Sequence, residues 1–204
     1  MYKVHPFVEN NEALILSIAD EIGIAFVGAS IGTNIAGTHL PLSIKKQADQ
    51  IIFSGHLMKQ TDHHKAFENT PEVLVVYSSP SAVIDANWYA SPSQASTINY
   101  IAIHAKGTIH FKDEAGTYEA IKAITNQHIN SNSNAGFEQI PTSYLQQHVK
   151  AIVAFEIEVK QIDAVFKLSQ NKTLAEQQNI IQQLKLRNHL GDAYIAQKME
   201  TLIQ

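Results

Sequence analysis

The stretch "INYIAIHAKGTIHF", residues 98–111, decides the fold class of this 204-residue chain. Apolar residues recur at every second position through Ile101 and Ile103, which is the period of a strand that buries one face. Tyr100 and His104 fall on the opposite face of such a strand. The spacing therefore predicts one long strand whose apolar side is turned toward a core.

Gly107 lies between His104 and His110 in the same stretch. A glycine inside a strand pattern often marks a β-bulge, where one extra residue shifts the alternation. We therefore expect a bulge at Gly107, after which the inward and outward positions of the strand exchange.

Five shorter runs rich in β-branched residues precede this stretch, and turn residues separate them. They are "IAFVGAS" (24–30), "IAGTHLPLSI" (35–44), "QIIFSGHL" (50–57), "EVLVVYSSP" (72–80) and "SAVIDANWYA" (81–90). A late run over 152–169 returns to the same period of two. Many short strands joined by short turns predict an antiparallel barrel or sandwich.

Helical spacing of apolar residues occurs between these runs and at both ends of the chain. Thr173 and Glu176 form a capping box that opens a helical tail, with a break near Gly191. We expect an α+β chain with a barrel domain over 1–170 and a C-terminal helical extension over 171–204, packed on the barrel or on a dimer partner. The other predicted helices cover 9–23, part of 59–71, 114–129 and 141–151.

The composition excludes several classes of protein. Hydrophobic residues make up 45% of the chain and charged residues 17%, which is ordinary for a globular domain and too apolar for a disordered one. Because there are no cysteines, disulfides and thiolate chemistry are excluded. No stretch approaches the roughly 18 apolar residues of a membrane span, and the N-terminus lacks the apolar core of a signal peptide. We therefore expect a cytoplasmic protein with no membrane partner.

Charge argues against tight DNA binding by this chain alone. The net charge is -4, and Arg187 is the single arginine among the 15 basic residues. DNA-binding proteins usually place several Lys and Arg side chains on phosphates and use Arg to read guanine. Direct DNA binding is therefore not expected.

The 10 histidines suggest a metal site, but none of their spacings places two ligands on one face. His63 and His64, for example, would point about 100° apart on a helix. The serine-rich and glycine-rich runs lack the strand, turn and helix of a nucleophile elbow or a P-loop. We predict no metal site and assign no catalytic residue.

A candidate anion site does follow from the residues themselves. In "SGHLMKQTDHH", a strand end is followed by Lys59 and by a helix whose first turn contains Thr61 and Asp62. A lysine beside free backbone N–H groups at a helix start is a suitable phosphate site. The alternative is a solvated lysine at the end of a strand.

Six motifs in a fixed order resemble those of the PaiB-like family. They are "GTHLPL" (37–42), "GHLMK" (55–59), "WYASP" (88–92), "NYIAIHAKGTI" (99–109), "VAFEIEV" (153–159) and "FKLSQNK" (166–172). That family consists of FMN-binding split-barrel proteins often labelled negative transcriptional regulators, and it is related to the pyridoxamine-phosphate oxidase group. The resemblance covers nearly the whole chain.

The resemblance implies an antiparallel split β-barrel of about six to eight strands with peripheral helices. It also implies a homodimer with FMN at the subunit interface, where a strand end and the following helix start hold the flavin phosphate. Trp88 and Tyr89 would offer an aromatic wall for the flavin ring. In this arrangement Thr38 and His39 would come from the strand neighbouring that of His56. The implied cofactor-binding residues are Thr38, His39, His56, Leu57, Met58, Lys59, Trp88, Asn99, Tyr100 and His104.

The sequence departs from the family pattern after the "GH" motif. Family members commonly have an arginine and an Asn-Pro pair there, where this chain has Lys59 to Asp62. A lysine offers a point charge instead of a bidentate fork. The function implied by the resemblance is a flavin-dependent regulator or sensor. Two alternatives stay open: an FMN-dependent oxidoreductase acting on a small molecule, and a haem- or metal-handling or cofactor-free dimeric module.

Overall fold

The protein forms two compact units in a computed structural model that describes residues 4–91, 93–128 and 137–203. The sheet unit consists of Gly23–Val76 and Ala105–Ile162. The terminal unit consists of Met1–Ile22, Tyr77–His104 and Asp163–Gln204. Each unit is described by itself below.

The sheet unit is built on antiparallel strands. Its strands are β2 (Ile24–Ile31), β3 (Asn34–Pro41), β4 (Ser43–Gln47), β5 (Gln50–Met58), β6 (Glu72–Ser78), β8 (Thr97–Phe111) and β9 (Ile152–Lys167), of which β6, β8 and β9 also have residues in the terminal unit. Their hydrogen-bonded order is β3-β2-β6-β8-β9-β5-β4. In the described residues, β3 and β4 are therefore the two edges, and the sheet is open, as in a split barrel.

Three helices accompany this sheet, namely α2 (Asp62–Asn69), α3 (Glu114–His128) and α4 (Thr142–Ala151). The Thr61 hydroxyl caps α2 by accepting the backbone N–H of His64 at 3.2 Å. At the start of α3, the Asp113 carboxylate accepts the N–H of Gly116 at 2.8 Å. Both caps satisfy helix-start N–H groups that would otherwise lack a partner, and the predicted helix in the 59–71 insert is confirmed.

The terminal unit contains β1 (Val8–Glu9), α1 (Glu12–Ile22), β7 (Ala82–Ile84), α5 (Leu174–Arg187) and α6 (Asp192–Leu202). The short strand β1 pairs with the end of β9, and β7 pairs with the start of β8. The predicted capping box is present, because Thr173 and Glu176 exchange side-chain and backbone hydrogen bonds at the start of α5. Helix α5 ends at Arg187, and Asn188 follows it as a C-cap whose φ of 52° is left-handed.

Strand β8 confirms the predicted alternation but not the predicted bulge. Ile101 and Ile103 are buried, and the same parity continues through Gly107 and Ile109 without an exchange of faces. The glycine has another reason to be there. A Cβ on Gly107 would collide with the carbonyl oxygen of Glu158 in β9 and would lie 2.9 Å from Ile157 Cγ2. Gly107 therefore permits close approach of two neighbouring strands.

Two predicted strands are divided differently in the structure. The run over 35–44 splits at Leu42 into β3 and β4, because Leu42 packs into the core between them. The run over 81–90 contributes only the three residues of β7, followed by a 3₁₀ turn at Ala86–Trp88. The Asp85 side chain caps that turn by accepting the N–H of Asn87 at 2.9 Å, and this local capping ends the strand.

We predict that Gly107→Ala destabilises the protein by about 3 kcal/mol, since the added methyl group has no space and the two strands must separate. Urea unfolding followed by far-UV circular dichroism measures the change. Lys106→Ala, at the exposed neighbouring position, is the matched control and should change stability by less than about 0.5 kcal/mol. Equal midpoints for the two variants would show that the strands accommodate a side chain at Gly107.

Candidate functional site

The outward face of β5 carries side chains from the stretch that was predicted to hold the flavin phosphate. Residues along this strand alternate between buried and accessible, so that Ser54, His56 and Met58 share the outward face. His56 is half-buried, and desolvation by burial lowers its pKa from the ordinary value. At neutral pH the imidazole is therefore uncharged, with one nitrogen able to donate and the other able to accept. Leu57 is 3% exposed and belongs to the core, so only its backbone is available to a ligand.

A polar cleft lies on this outward face, between β4, β5, β9 and α3. Ser43 in β4 is directly opposite Ser54 in β5, and Lys45 follows two residues later on the same face. Glu156 in β9 is the register partner of Ser54 on its other side. The cleft has a volume of about 140 Å³, and Ala120, Ala123 and Ile124 of α3 form its apolar wall.

Some of the charged side chains in the polar cleft have a partner and others do not. The Lys112 ammonium donates to Glu156 over 2.6 Å, so these two charges neutralise each other. Lys45, Ser43 and Ser54 have no side-chain hydrogen bond or ion pair within the described part of the chain. The cleft therefore offers two hydroxyl groups and one ammonium as free donors, a set suited to an oxyanion.

A second cavity of about 290 Å³ adjoins the polar cleft and shares Lys45, Ser54 and Glu156 with it. His110 of β8 and Glu158 of β9 lie on its wall, with the ring Nε2 4.0 Å from the carboxylate. Both side chains are about half exposed, so this pair is well solvated. The two cavities together form a continuous polar surface on the β4, β5 and β9 side of the sheet.

Sequence reasoning missed the cleft residues Ser43, Lys45, Ser54 and Glu156. A signal for them was present, because each is a polar residue on the outward parity of a strand. That parity could be used only with the register of β4, β5 and β9, which brings residues from distant parts of the chain into one row. A single sequence does not fix this register.

The segment between β5 and α2 holds Lys59 at the end of the strand. The Lys59 backbone N–H donates to the carbonyl oxygen of Ala151 at 2.9 Å, which fixes the main chain there. The Lys59 ammonium has no ion-pair partner among the residues that the structure describes. Lys59 is therefore available to an anion through its side chain.

The predicted free N–H groups at the start of α2 are largely taken, which corrects that part of the anion-site prediction. The N–H of Gln60 donates to His64 Nδ1 at 3.3 Å, and that of His63 donates to Asp62 Oδ1 at 2.7 Å. These bonds from His63 to the carboxylate hold the pKa of Asp62 below its usual value. A negative charge thus stands at the helix start, where a phosphate was expected.

Thr38 and His39 do not lie on the strand adjacent to His56, contrary to the prediction. Their strand β3 pairs with β2, whereas β5 pairs with β4 and β9. The His39 ring packs edge-on against Phe26 of β2, with ring centroids 5.5 Å apart. The prediction treated strands near in sequence as neighbours in the sheet, and the crossover of the chain separates them.

The terminal unit holds the predicted aromatic residues on a braced turn. The Arg187 guanidinium lies 4.8 Å from the centroid of the Trp88 ring, and the Asn179 side chain donates to the Trp88 carbonyl oxygen at 2.7 Å. Beside them, the Lys172 ammonium is 4.0 Å from the centre of the Tyr89 ring. Residues of the C-terminal helical region therefore hold both aromatic side chains in place.

Arg187 is fixed by a bidentate ion pair. Its Nε and Nη2 donate to the two carboxylate oxygens of Asp192 at 2.8 and 2.6 Å, and the His189 N–H also donates to this carboxylate at 2.8 Å. Asp192 is 1% exposed. The hydrogen bonds from Arg187 lower the pKa of Asp192 from its ordinary value.

The remaining predicted contacts also lie in the terminal unit. Asn99 is fully buried, and its amide donates to Ser169 Oγ at 2.9 Å. A 3.6 Å contact joins the same amide to Met199 Sδ. Tyr100 and His104 are half-buried on the opposite face of β8. The side chain of Asn99 thus closes a structural hydrogen bond, whereas Tyr100 and His104 keep accessible surface.

No group of three or more His, Asp or Glu side chains is arranged to hold a metal ion in the described residues. Among the same residues, no helix has the length and apolar character needed to cross a membrane.

The open antiparallel sheet defines a protein of the split-barrel fold. The structure is similar to the flavocytochrome Anf3 of Azotobacter vinelandii, with a TM-score of 0.61 and 14% identity over 81% of this chain and 72% of that one. It is also similar to the FAD and haem binding protein of Mycobacterium smegmatis, with a TM-score of 0.56 and 14% identity over 78% of this chain and 71% of that one. These similarities show the fold.

Residues 1–161 match the family described as "Putative FMN-binding domain", and the chain belongs to this family. The Bacillus subtilis (strain 168) protein "Protease synthase and sporulation protein PAI 2" is 30% identical over 164 residues, which cover 80% of this chain and 79% of that protein. The resemblance to the PaiB-like family is therefore confirmed, and FMN is the cofactor of the family. Helices α5 and α6 follow the matched residues.

The donor set of the polar cleft fits the phosphate of FMN. A phosphate is an oxyanion that accepts several hydrogen bonds, and Ser43, Ser54 and Lys45 present donors that no described residue uses. The volume of the cleft, about 140 Å³, is below the range for small-molecule sites, which begins at roughly 300 Å³. The cleft therefore suits one end of the flavin. Lys59 supplies a further ammonium at the end of β5.

We predict that Arg187→Ala lowers the free energy of unfolding by about 3 kcal/mol, because the buried Asp192 carboxylate loses its cation. The only tryptophan, Trp88, loses the guanidinium from its ring, so its fluorescence emission should shift to longer wavelength. Lys185→Ala, which removes an exposed pair with Glu200 on the same helix, is the control and should leave the Trp88 emission unchanged.

The Arg187–Asp192 ion pair also makes the folding stability depend on pH, with a defined sign. Because the pKa of Asp192 is lowered in the folded state, the stabilisation is present above the unfolded pKa of about 3.9 and is lost as the pH falls through the folded value. Wild-type stability should therefore fall more steeply than that of Arg187→Ala below about pH 4. Parallel curves would contradict the assignment of this ion pair.

Proposed function

We propose that this protein is an FMN-dependent regulator or sensor that works as a homodimer. The observation that carries the proposal is the polar cleft, where Ser43 and Ser54 face each other across β4 and β5 beside the unpaired Lys45. A regulatory role is the one that the PaiB-like resemblance implies, and the printed name of the Bacillus subtilis relative, "Protease synthase and sporulation protein PAI 2", refers to sporulation. Membership of the FMN-binding family indicates that the cofactor is FMN.

In this proposal the protein residues bind and orient the cofactor. The hydroxyls of Ser43 and Ser54 donate to phosphate oxygens, and Lys45 balances their charge. The Lys112–Glu156 pair keeps the Glu156 carboxylate from repelling the phosphate. His56, neutral because burial lowers its pKa, offers one donor and one acceptor farther along β5. When bound, FMN supplies the capacity to take up and release electrons.

Dimer formation is proposed on the size and openness of the cleft. The polar cleft itself holds about 140 Å³ around the free donors, which is less than half of the roughly 300 Å³ at which small-molecule sites begin. The adjoining cavity of about 290 Å³ is lined almost wholly by polar and charged side chains, so it offers little apolar surface to the flavin ring. A second copy that covers the cleft would enclose the remainder of the flavin. This geometry is the one that the PaiB-like resemblance implies, with FMN between subunits.

The proposed regulation does not require direct contact with DNA. The single arginine, Arg187, is held by Asp192 and Trp88. Two lysines of the C-terminal helices are also paired, Lys185 with Glu200 and Lys198 with Glu21. With a net charge of -4, the chain carries more acidic than basic side chains, which disfavours its accumulation on phosphates.

FMN titration of dialysed protein, followed by flavin fluorescence and absorbance, tests the cofactor site. We expect saturable binding in the low micromolar range. Lys45→Gln should weaken it about tenfold or more, because a charged hydrogen bond contributes about 1.5–3 kcal/mol and 1.4 kcal/mol is a factor of ten. A loss of this size in Lys59→Gln instead of Lys45→Gln would place the phosphate at the end of β5. Lys65→Gln, exposed on α2, is the matched control.

Two outcomes of this titration and one further assay separate the alternatives. Absence of binding up to millimolar FMN would exclude a flavin-dependent function. Binding that Lys45→Gln leaves unchanged would place the flavin outside the polar cleft. Steady oxidation of a nicotinamide donor by the loaded protein with an added acceptor would favour the oxidoreductase over the regulator, and sedimentation equilibrium of the same sample reports whether it is a dimer.

We predict that the protein gives no DNA complex in gel-shift experiments at 150 mM salt, with or without FMN. The reason is the net charge of -4 together with the engagement of the single arginine by Asp192. Retained binding whose logarithm falls steeply with the logarithm of the salt concentration would contradict this prediction, since such a slope reports phosphate contacts. A basic DNA-binding domain of similar size serves as the positive control.

A further inference from the structure

A third cavity, of about 420 Å³, lies on the outward face of the sheet, far along the strand order from the polar cleft. We call it the sheet-face groove. Its walls come from β2, β3, β6, β8 and β9, and the residues that matter here are Phe26, Gly28, Ile35, Leu74, Lys106 and Lys160. The groove and the polar cleft have no lining residue in common.

The floor of the sheet-face groove is flat. Gly28 in β2 is the register partner of Gly37 in β3, and the Phe26 ring lies across both. A Cβ on Gly28 would be 2.8 Å from Phe26 Cε1, and one on Gly37 would be 2.7 Å from Phe26 Cε2. The paired glycines thus allow the aromatic ring to lie down on the backbone of the sheet.

The walls of the sheet-face groove are apolar and accessible. Leu74, the register partner of Gly28 on the other side, is 36% exposed, and Ile35 is 82% exposed. Aliphatic side chains at such positions leave apolar surface in contact with water. The volume falls within the range of about 300–1,000 Å³ that is typical of small-molecule sites.

Two lysines give the sheet-face groove a positive rim. Lys106 of β8 has no ion pair or hydrogen bond in the described part of the chain. Lys160 of β9 is 3.9 Å from the Glu72 carboxylate, and both side chains of this pair are more than half exposed. The rim therefore carries one excess positive charge, beside a floor that has almost no polar surface.

We propose that the sheet-face groove binds a small, flat aromatic carboxylate. The flat floor accepts a ring by stacking on Phe26 and by contact with Leu74, where offset ring packing is favourable. Lys106 then receives the carboxylate at the rim. One negative charge on the ligand matches the one excess positive charge of the groove, and a neutral aromatic compound would leave Lys106 without a partner.

This inference goes beyond the proposed cofactor function and does not rest on it. The flavin phosphate is assigned to Ser43, Ser54 and Lys45, and the aromatic acid to a separate surface of the same unit. For a regulator, such a ligand would be the effector that the flavin site does not supply.

The test uses naphthalene-2-carboxylate and its neutral isostere naphthalene-2-carboxamide, each titrated into the full-length protein by isothermal titration calorimetry. The two probes share ring and shape and differ in charge. We expect the carboxylate to bind at least tenfold more tightly than the carboxamide. The difference should shrink as salt is raised, because the lysines of the rim are exposed.

Three variants locate the binding. Lys106→Gln should abolish the preference for the carboxylate while the carboxamide affinity stays unchanged. Leu74→Glu should weaken both probes by more than tenfold, since it places a charge in the apolar wall. Lys45→Gln, in the polar cleft, is the matched control and should leave both affinities as in the wild type. FMN titration of Leu74→Glu checks that the cofactor site is intact, so the two proposals fail separately.

The proposal is overturned by equal affinity for the two probes in the wild type, or by binding that Leu74→Glu does not weaken. Sedimentation equilibrium of Leu74→Glu tests whether a second copy of the chain covers this groove instead of a small ligand. If this variant converts a dimer to a monomer and the wild type binds neither probe, the groove is covered by a second copy of the chain and the aromatic-acid site is rejected.

Discussion

The close approach of β8 and β9 at Gly107 is the constraint on which the sheet unit depends. These two strands are neighbours at the centre of the strand order, and the backbone of Gly107 touches that of Glu158 with no space for a side chain. The contact fixes which residues of β9 face outward. Glu156 thereby lines the polar cleft, and Lys160 lines the sheet-face groove. Both candidate sites thus take their position from one backbone contact that neither site contains in full.

The terminal unit shows a different principle, in which a hydrogen-bonded ion pair organises an irregular turn. The Ala86–Trp88 turn and the residues after it have few backbone hydrogen bonds of their own. Arg187 and Asn179 on α5 hold Trp88, and the Glu176 carboxylate accepts the N–H of Ala90 at 3.2 Å. Helix α5 lies after residues 1–161, which match the family. In this chain, residues beyond the family match therefore determine how a motif within it is presented.

The sequence predicted those parts of the fold that depend on local patterns. The alternation around Ile101 and Ile103, the Thr173 capping box and the helix between β5 and β6 are each written in a few consecutive residues, and the structure has them. The bulge at Gly107 was wrong because the role of that glycine depends on a strand about fifty residues away. Local sequence shows that a side chain is missing, but the reason lies in the partner strand.

The candidate site was less predictable for the same reason. Lys59 and His56 could be found because they follow one another along the chain at a strand end. The pairing of Ser43 with Ser54 and Glu156 requires strand register, and the pairing of Arg187 with Trp88 joins residues 99 positions apart. The helix-start N–H groups failed as a phosphate site because Asp62 and His64, only a few residues away, supply competing acceptors. The sequence shows that both residues can accept hydrogen bonds, but only the structure shows that they accept from these N–H groups.

A row of charges on β9 runs between the polar cleft and the sheet-face groove. Glu156 pairs with Lys112, Glu158 with His110, and Lys160 with Glu72. Every member of this row is more than a third exposed, and exposed pairs of this kind contribute only about 0–1 kcal/mol each. A ligand that disturbs one pair therefore transmits little free energy to the next. Strong coupling between the two sites would have to come through a change in the close packing of β8 against β9, because the charges alone are too well solvated to carry it.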